Sequence, residues 1–520
     1  HQMTRVDPCG IFELFVPQAK AGDAYQFELR LKDGNIIRKA DPYAFACKDE
    51  SGALSVVCET IKDDFPWTDE RYMEARKKRS FTGKPFSVCE LSLDAFAEAF
   101  RKEGTPYTYR DMATDLVKYL QQYAFHAVEL QPVVEHGVNP FEVTAHYAIK
   151  GAYGTREDFM ALIDALHAAD ISVILEWTPT FFAERDYGLS FFDGAPLYEY
   201  GDLTKMRQKT SGYLTFDFGR KQVCNYLLSN ALYFATYFHI DGLRFTDISK
   251  AIYLDYDRSP EEWHPNVYGG NENLEAIEFI KQMNISMRKF DPGFLMITKE
   301  TACWPQVTEA IDDGGLGFTY KWNNGWSRDF LQFLRNDPAY RGAHLGELTF
   351  SLIYAFSEHY ILAFAHEDAE QGYTTIIENM PGNEEARWAN LRLAFTSMFV
   401  YPGKKMLFMD PVKNAKGKDA QMVLFVEALN YLYATHPALY ELDDVEAGFE
   451  WINANNAEAS TLTFVRKGKK DKDTLLVVVN FAGIEQDLVV GVPFDGKYRV
   501  IFTSEDLSFG GNEPGNAGAI

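Results

Sequence analysis

A (β/α)8 TIM barrel carried between two β-rich segments is the fold this sequence predicts. Short apolar strands alternate with amphipathic helices through the middle of the chain, and alternating strands without helical period stand at both ends. No GxGxxG follows the first strand of the repeat, which favours a closed barrel over an open doubly wound sheet.

The elements follow in chain order. GIFELFVP (10–17) and AYQFELRLKDG (24–34) alternate and end in turn signals, so residues 1–66 read as an incomplete β-sandwich module. The charged stretch WTDERYMEARKKRS (67–80) places a linker or short helix over 67–84. From Pro85 strands and helices take turns. HAVELQP (126–132) is a strand; Thr155 and Asp158 then form a capping box, with Phe159, Leu162, Ile163 and Leu166 on one helical face. ISVILEW (171–177) is a buried strand, 226–237 a helix, HIDGLRF (239–245) a strand, LEAIEFIKQM (274–283) a helix and GFLMIT (293–298) a strand. YILAFA (360–365) and KKMLFMD (404–410) complete a barrel spanning 85–441. STLTFVRKG (460–468), DTLLVVVNF (473–481) and KYRVIFTS (497–504) then predict a C-terminal β-sandwich over 442–520, with KGKKDKD (467–473) as a hairpin tip.

Composition excludes several partners. A formal charge of −24 repels nucleic acid and anionic membranes, whereas a neutral polysaccharide is indifferent to it. The 40 Phe, 29 Tyr and 8 Trp suit sugar stacking, although a large core accounts for most of them. Cys9, Cys47, Cys58, Cys89, Cys224 and Cys303 are scattered singly, the usage of a reduced, cytoplasmic protein rather than of a disulfide framework or zinc site. No apolar run approaches the roughly 18 residues of a membrane span. No metal or other cofactor is implied, since acidic clusters alone do not specify calcium.

A barrel of this kind builds its site at the C-terminal strand ends. Those ends carry Glu176, then Arg244-Phe245-Thr246-Asp247, then Lys299-Glu300, then His366-Glu367-Asp368. Each cluster alone is an ordinary strand cap; four together point to glycosidic chemistry, in which paired carboxylates flank an oxocarbenium-like transition state.

Here a resemblance enters. VELQPVVEH (128–136), YGTREDF (153–159), HIDGLRF (239–245), YLDYDR (253–258), NVYGGNENLEAIEF (266–279), GGLGFTYKWNNGW (314–326), ELTFSLIYAFSE (347–358), PGKKMLFM (402–409) and GFEWI (448–452) resemble the bacterial 1,4-α-glucan branching enzymes of glycoside hydrolase family 13, the α-amylase clan. The likeness runs over essentially the whole chain. It implies glycogen biosynthesis, an α-glucan partner (glycogen, amylose or a maltooligosaccharide) and no cofactor.

The resemblance also locates the family's catalytic positions, and they are substituted. The nucleophile Asp falls at Thr246, the general acid/base Glu at Lys299, and the transition-state-stabilising Asp at Glu367. Other subsite positions hold Glu176 for Asp, Phe181 for His and Phe141 for Tyr, and a short basic stretch over 410–418 replaces an acidic, Trp-rich loop. Asp241, Arg244 and His366, which shape the central subsite in the family, are kept, as are Trp177 and Trp304, read either as stacking residues or as core. For Arg244 the alternative is a structural ion pair.

Each lost carboxylate has another one residue on, at Asp247, Glu300 and Asp368, but successive strand side chains face opposite ways, so these turn from the barrel axis. An ammonium at 299 opposes a developing oxocarbenium by roughly 3 kcal/mol at about 5 Å and an effective dielectric of about 20. Thr246 has no evident base. Three readings follow: a pseudoenzyme that binds α-glucan or acts as a scaffold; an active transglycosylase using the displaced carboxylates; or a non-catalytic interaction domain with a protein partner.

Overall fold

The computed structural model describes residues 1–8, 10–48, 51–59, 65–369 and 372–513. Eight parallel strands close into a barrel in sequence order: β1 (Ser87–Leu91), β2 (Ala127–Leu130), β3 (Ser172–Trp177), β4 (Gly242–Phe245), β5 (Leu295–Thr298), β6 (Tyr320–Trp322), β7 (Tyr360–Phe364) and β8 (Lys404–Phe408), with β8 returning to β1. β1 and β6 escaped the sequence pattern, β6 because three residues carry no period.

Strand alternation divides the apolar residues between two cores. Val88, Ala127, Ile174, Leu295, Ile297, Tyr320, Trp322, Ile361, Ala363 and Met406 fill the interior. Their neighbours Cys89, Val128, Leu175, Leu243, Phe245, Met296, Leu362 and Leu407 face the surrounding helices.

Of the linker or short helix expected over 67–84, the structure forms a packed helix, α1 (Glu70–Arg76), whose Tyr72 and Arg76 are buried. Arg76 donates to Asp291 (2.9 Å) and to the carbonyls of His239 (2.8 Å) and Ile240 (2.7 Å). Asp241 belongs to this cluster. It accepts from Tyr72 Oη (3.0 Å) and Val173 N (2.7 Å), contacts His167 Nε2 (3.1 Å) and lies 3.5 Å from Arg76. It precedes β4, at the barrel end opposite the strand C-termini. The expectation that Asp241 shapes a substrate subsite is therefore corrected: its carboxylate clasps α1 to the barrel floor.

Outside the barrel, α2 (Tyr109–Tyr123) and α3 (Arg156–Ala168) start with capping boxes, the second being the Thr155–Asp158 box read in the sequence. Towards the N-terminus the expected strand over 10–17 shrinks to Phe12–Glu13, and short antiparallel pairs supply the rest of the module. The C-terminal segment is one antiparallel sheet of β9 (Phe449–Asn456), β10 (Thr461–Lys467) and β11 (Thr474–Asn480), with 467–473 as the tip joining β10 to β11. The strand expected over 497–504 is not formed: Phe502 and Phe509 stack on each other and pack against Phe425 of the Lys418–Thr435 helix, which takes the apolar residues a second sheet would use. Cys47, Cys58, Cys89, Cys224 and Cys303 are free, and Cys9 lies outside the described residues. Among the described residues no helix is long and apolar enough to cross a membrane.

Lys405, on β8, is fully buried; its ammonium donates to the Tyr401 carbonyl (2.5 Å) and lies over the Tyr433 ring. Burial pulls its pKa down to about 7, against the attraction of Asp443. The unfolded chain thus holds this proton over a pH range in which the folded chain has released it, so the group disfavours folding below pH 7 and ceases to do so as pH rises past the unfolded value near 10.4. Lys405→Met is expected to raise stability at pH 7 by about 2–4 kcal/mol and to flatten the rise between pH 7 and 10. Urea melts of both chains across that range check it; parallel profiles would refute it.

Candidate active site

Four inward positions near the C-terminal strand ends are charged. Glu90 of β1 is registered beside Glu129 of β2, and Glu176 of β3 beside Arg244 of β4. Arg244 Nε donates to Glu129 Oε1 (2.6 Å), Arg244 Nη2 pairs with Glu176, and the guanidinium lies 4.2 Å from the Trp322 ring centroid. All of these side chains are buried. The ion-pair alternative for Arg244 is thereby what the geometry contains. Burial pushes Glu129 up to about 8, against Arg244, and raises Glu176 as well.

His366, just beyond β7, closes this layer from above. Its Nδ1 pairs with Glu90 Oε1, and its backbone N–H donates to Glu90 Oε2 (2.9 Å). Burial opposes its charge, yet Glu90 and Glu176 push it up to about 9. Phe141 stacks on the imidazole, with centroids 5.1 Å apart and planes 23° apart. The two rings therefore stand together above Glu90.

Thr246, Lys299 and Glu367 converge at the rim of the same face. Thr246 follows β4 with the inward parity of Arg244; its Oγ1 is buried and has no hydrogen-bond partner among the described residues. Lys299 follows β5, and its ammonium pairs with Glu367. Burial raises Glu367, but Lys299 and His366 overcome this and hold the carboxyl below its ordinary value.

The neighbouring carboxylates lie elsewhere. Asp247 accepts from Ser249 N (3.0 Å) and Thr301 Oγ1 (3.0 Å). Glu300 accepts from Ser249 Oγ (3.1 Å), Ala302 N (2.6 Å) and Lys321 Nζ (2.9 Å). Both are engaged around Ser249, in the turn after β4, rather than with the inward cluster. Asp368 accepts from Ala365 N (3.4 Å) in its own turn, and burial pushes it up to about 6.

The family described as alpha amylase, C-terminal all-beta domain, matches residues 451–520. A 1,4-alpha-glucan branching enzyme GlgB of Clostridium perfringens is 37% identical over 533 residues, which span 98% of this chain and 80% of that protein. Another, from Rhodopirellula baltica, is 38% identical over 99% of this chain and 73% of its own length. The chain belongs to the 1,4-α-glucan branching enzyme family.

Among solved structures, a pullulanase from Bacillus acidopullulyticus shares the fold with a TM-score of 0.70 at 13% identity, over 100% of this chain and 68% of that one. A putative alpha amylase from Salmonella typhimurium does so at 0.64 and 17%, over 92% and 88%. The two tryptophans read either as stacking residues or as core occupy different surroundings. Trp177 has the outward parity of β3; its Nε1 donates to Asn230 (2.8 Å) and its ring packs on Phe245, so it is core and not a stacking surface. Trp304 is half-buried against the edge of Tyr253, in the loop after β5. Glu90, Glu129 and Trp322 were missed. The first two carried a signal: each is an acidic residue inside a short apolar strand, SVCEL and AVEL, where only an inward ion pair satisfies a carboxylate.

Proposed function

We propose that this member of the branching enzyme family binds α-glucan without branching it, serving glycogen metabolism as a pseudoenzyme or scaffold. The observation that carries this reading is the Lys299–Glu367 pair beside an unpartnered Thr246 hydroxyl. A retaining glycosidic transfer needs a carboxylate nucleophile and a carboxylic acid about 5–5.5 Å apart. At the positions the resemblance assigns to them stand a hydroxyl with no base and an ammonium committed to an ion pair. Asp247 and Glu300, the substitutes an active enzyme would use, each already accept three hydrogen bonds, the first from Ser249, Tyr256 and Thr301 and the second from Ser249, Ala302 and Lys321.

The test is incubation with amylose, followed by debranching to count new α-1,6 linkages, alongside glycogen cosedimentation. The expected result is no new linkages together with retention on glycogen. New linkages that vanish in Asp247→Asn would overturn the reading in favour of the displaced carboxylates; no linkages and no retention would leave only a scaffold.

A further inference from the structure

Glu90, Glu176 and His366 bring three potential metal ligands together from β1, β3 and the turn after β7. One ligand atom from each lies within 4.8 Å of the others. Three ligands around one zinc-sized ion sit about 3.4–3.6 Å apart, so the widest pair has to close by up to roughly 1.4 Å when the ion binds. Glu176 points to what is missing: its side chain is 2% exposed, Oε1 faces Arg244, and Oε2 is buried with no hydrogen-bond partner among the described residues. Glutamate at this position carries the carboxylate about 1.5 Å further than the aspartate of the family pattern.

One imidazole nitrogen with two carboxylate oxygens is a borderline donor set, suited to zinc, manganese or ferrous iron and poor for calcium, which takes six to eight oxygens.

We propose that Glu90, Glu176 and His366 form a divalent transition-metal site at the floor of the former catalytic centre. The ion replaces the proton shared by His366 and Glu90 and takes the free oxygen of Glu176. The inference is independent of whether the chain binds glucan.

The test uses the full chain stripped with chelator and titrated calorimetrically with zinc chloride, then with manganese chloride. One saturable site with a zinc Kd near or below about 1 µM is expected. His366→Gln and Glu176→Asp are each expected to weaken it roughly 10- to 100-fold. Absence of saturable binding up to about 1 mM overturns the proposal, as does binding that both variants leave unchanged. If a variant fails to fold, the electron spin-echo spectrum of the manganese-loaded unsubstituted chain decides: coupling to one imidazole nitrogen supports the site, and its absence refutes it.

Discussion

Combining Thr246→Asp, Lys299→Glu and Glu367→Asp is expected to raise branching of amylose at least about 10³-fold over the unsubstituted chain. The scaffold for this gain is in place. Thr246 and Lys299 follow neighbouring strands β4 and β5, and Glu367 already contacts the Lys299 ammonium. Carboxylates at the first two positions return a nucleophile and an acid to adjacent strand ends, and breaking the Lys299–Glu367 pair frees the third. Thr246→Asp alone should remain at background, because nucleophile and acid act as one unit and either is nearly worthless without the other. The measurement is the count of new α-1,6 linkages after debranching, with melting temperature as the control for folding. A triple variant that melts like its parent and makes no linkages would show that the losses at Phe141, Glu176 or Phe181 suffice to silence the cleft.

Arg244→Met is expected to cost about 3–5 kcal/mol of stability, the largest single loss at this face. The guanidinium is 1% exposed and stands between Glu129 and Glu176, themselves 1% and 2% exposed. Removing it leaves the buried carboxylates of Glu129 and Glu176 facing each other, with Glu90 adding to the repulsion. Adding Glu129→Gln and Glu176→Gln to Arg244→Met should recover most of the loss, since the cost lies in uncompensated charge rather than in lost attraction. Urea denaturation at neutral pH measures both. A single variant within about 1 kcal/mol of the parent, or a triple variant as weak as the single, would assign the stability of this layer to packing on Trp322 instead.

Much of this layout was legible before the fold was seen, and the exceptions have physical causes. The capping box at Thr155 and six barrel strands declare themselves through local period and turn chemistry. β6 has three residues, too few for a pattern, and it carries Trp322, on which Arg244 rests. Motif membership misled twice. Asp241 and Arg244 share one motif, yet three residues of strand separate them by about 10 Å, enough to put one on the barrel floor and the other near its mouth. Trp177 adjoins Glu176 and therefore faces the helices, while Glu176 faces the axis. The pairing of Lys299 with Glu367 joins residues 68 positions apart, and only the closed barrel brings them together.

The clasp at Arg76 also constrains when the molecule can be finished. Its guanidinium is satisfied by the carbonyls of His239 and Ile240 and by Asp291, groups that follow it by 163, 164 and 215 residues. During synthesis the helix bearing Arg76 emerges early and keeps its charge in water until more than two hundred further residues have left the ribosome. At about 5–20 residues per second, that is a wait of roughly 10–40 s. The first half of the barrel cannot seal its floor in that interval, and its outer strand edges stay open to chaperones or to each other longer still, until β8 arrives to pair with β1.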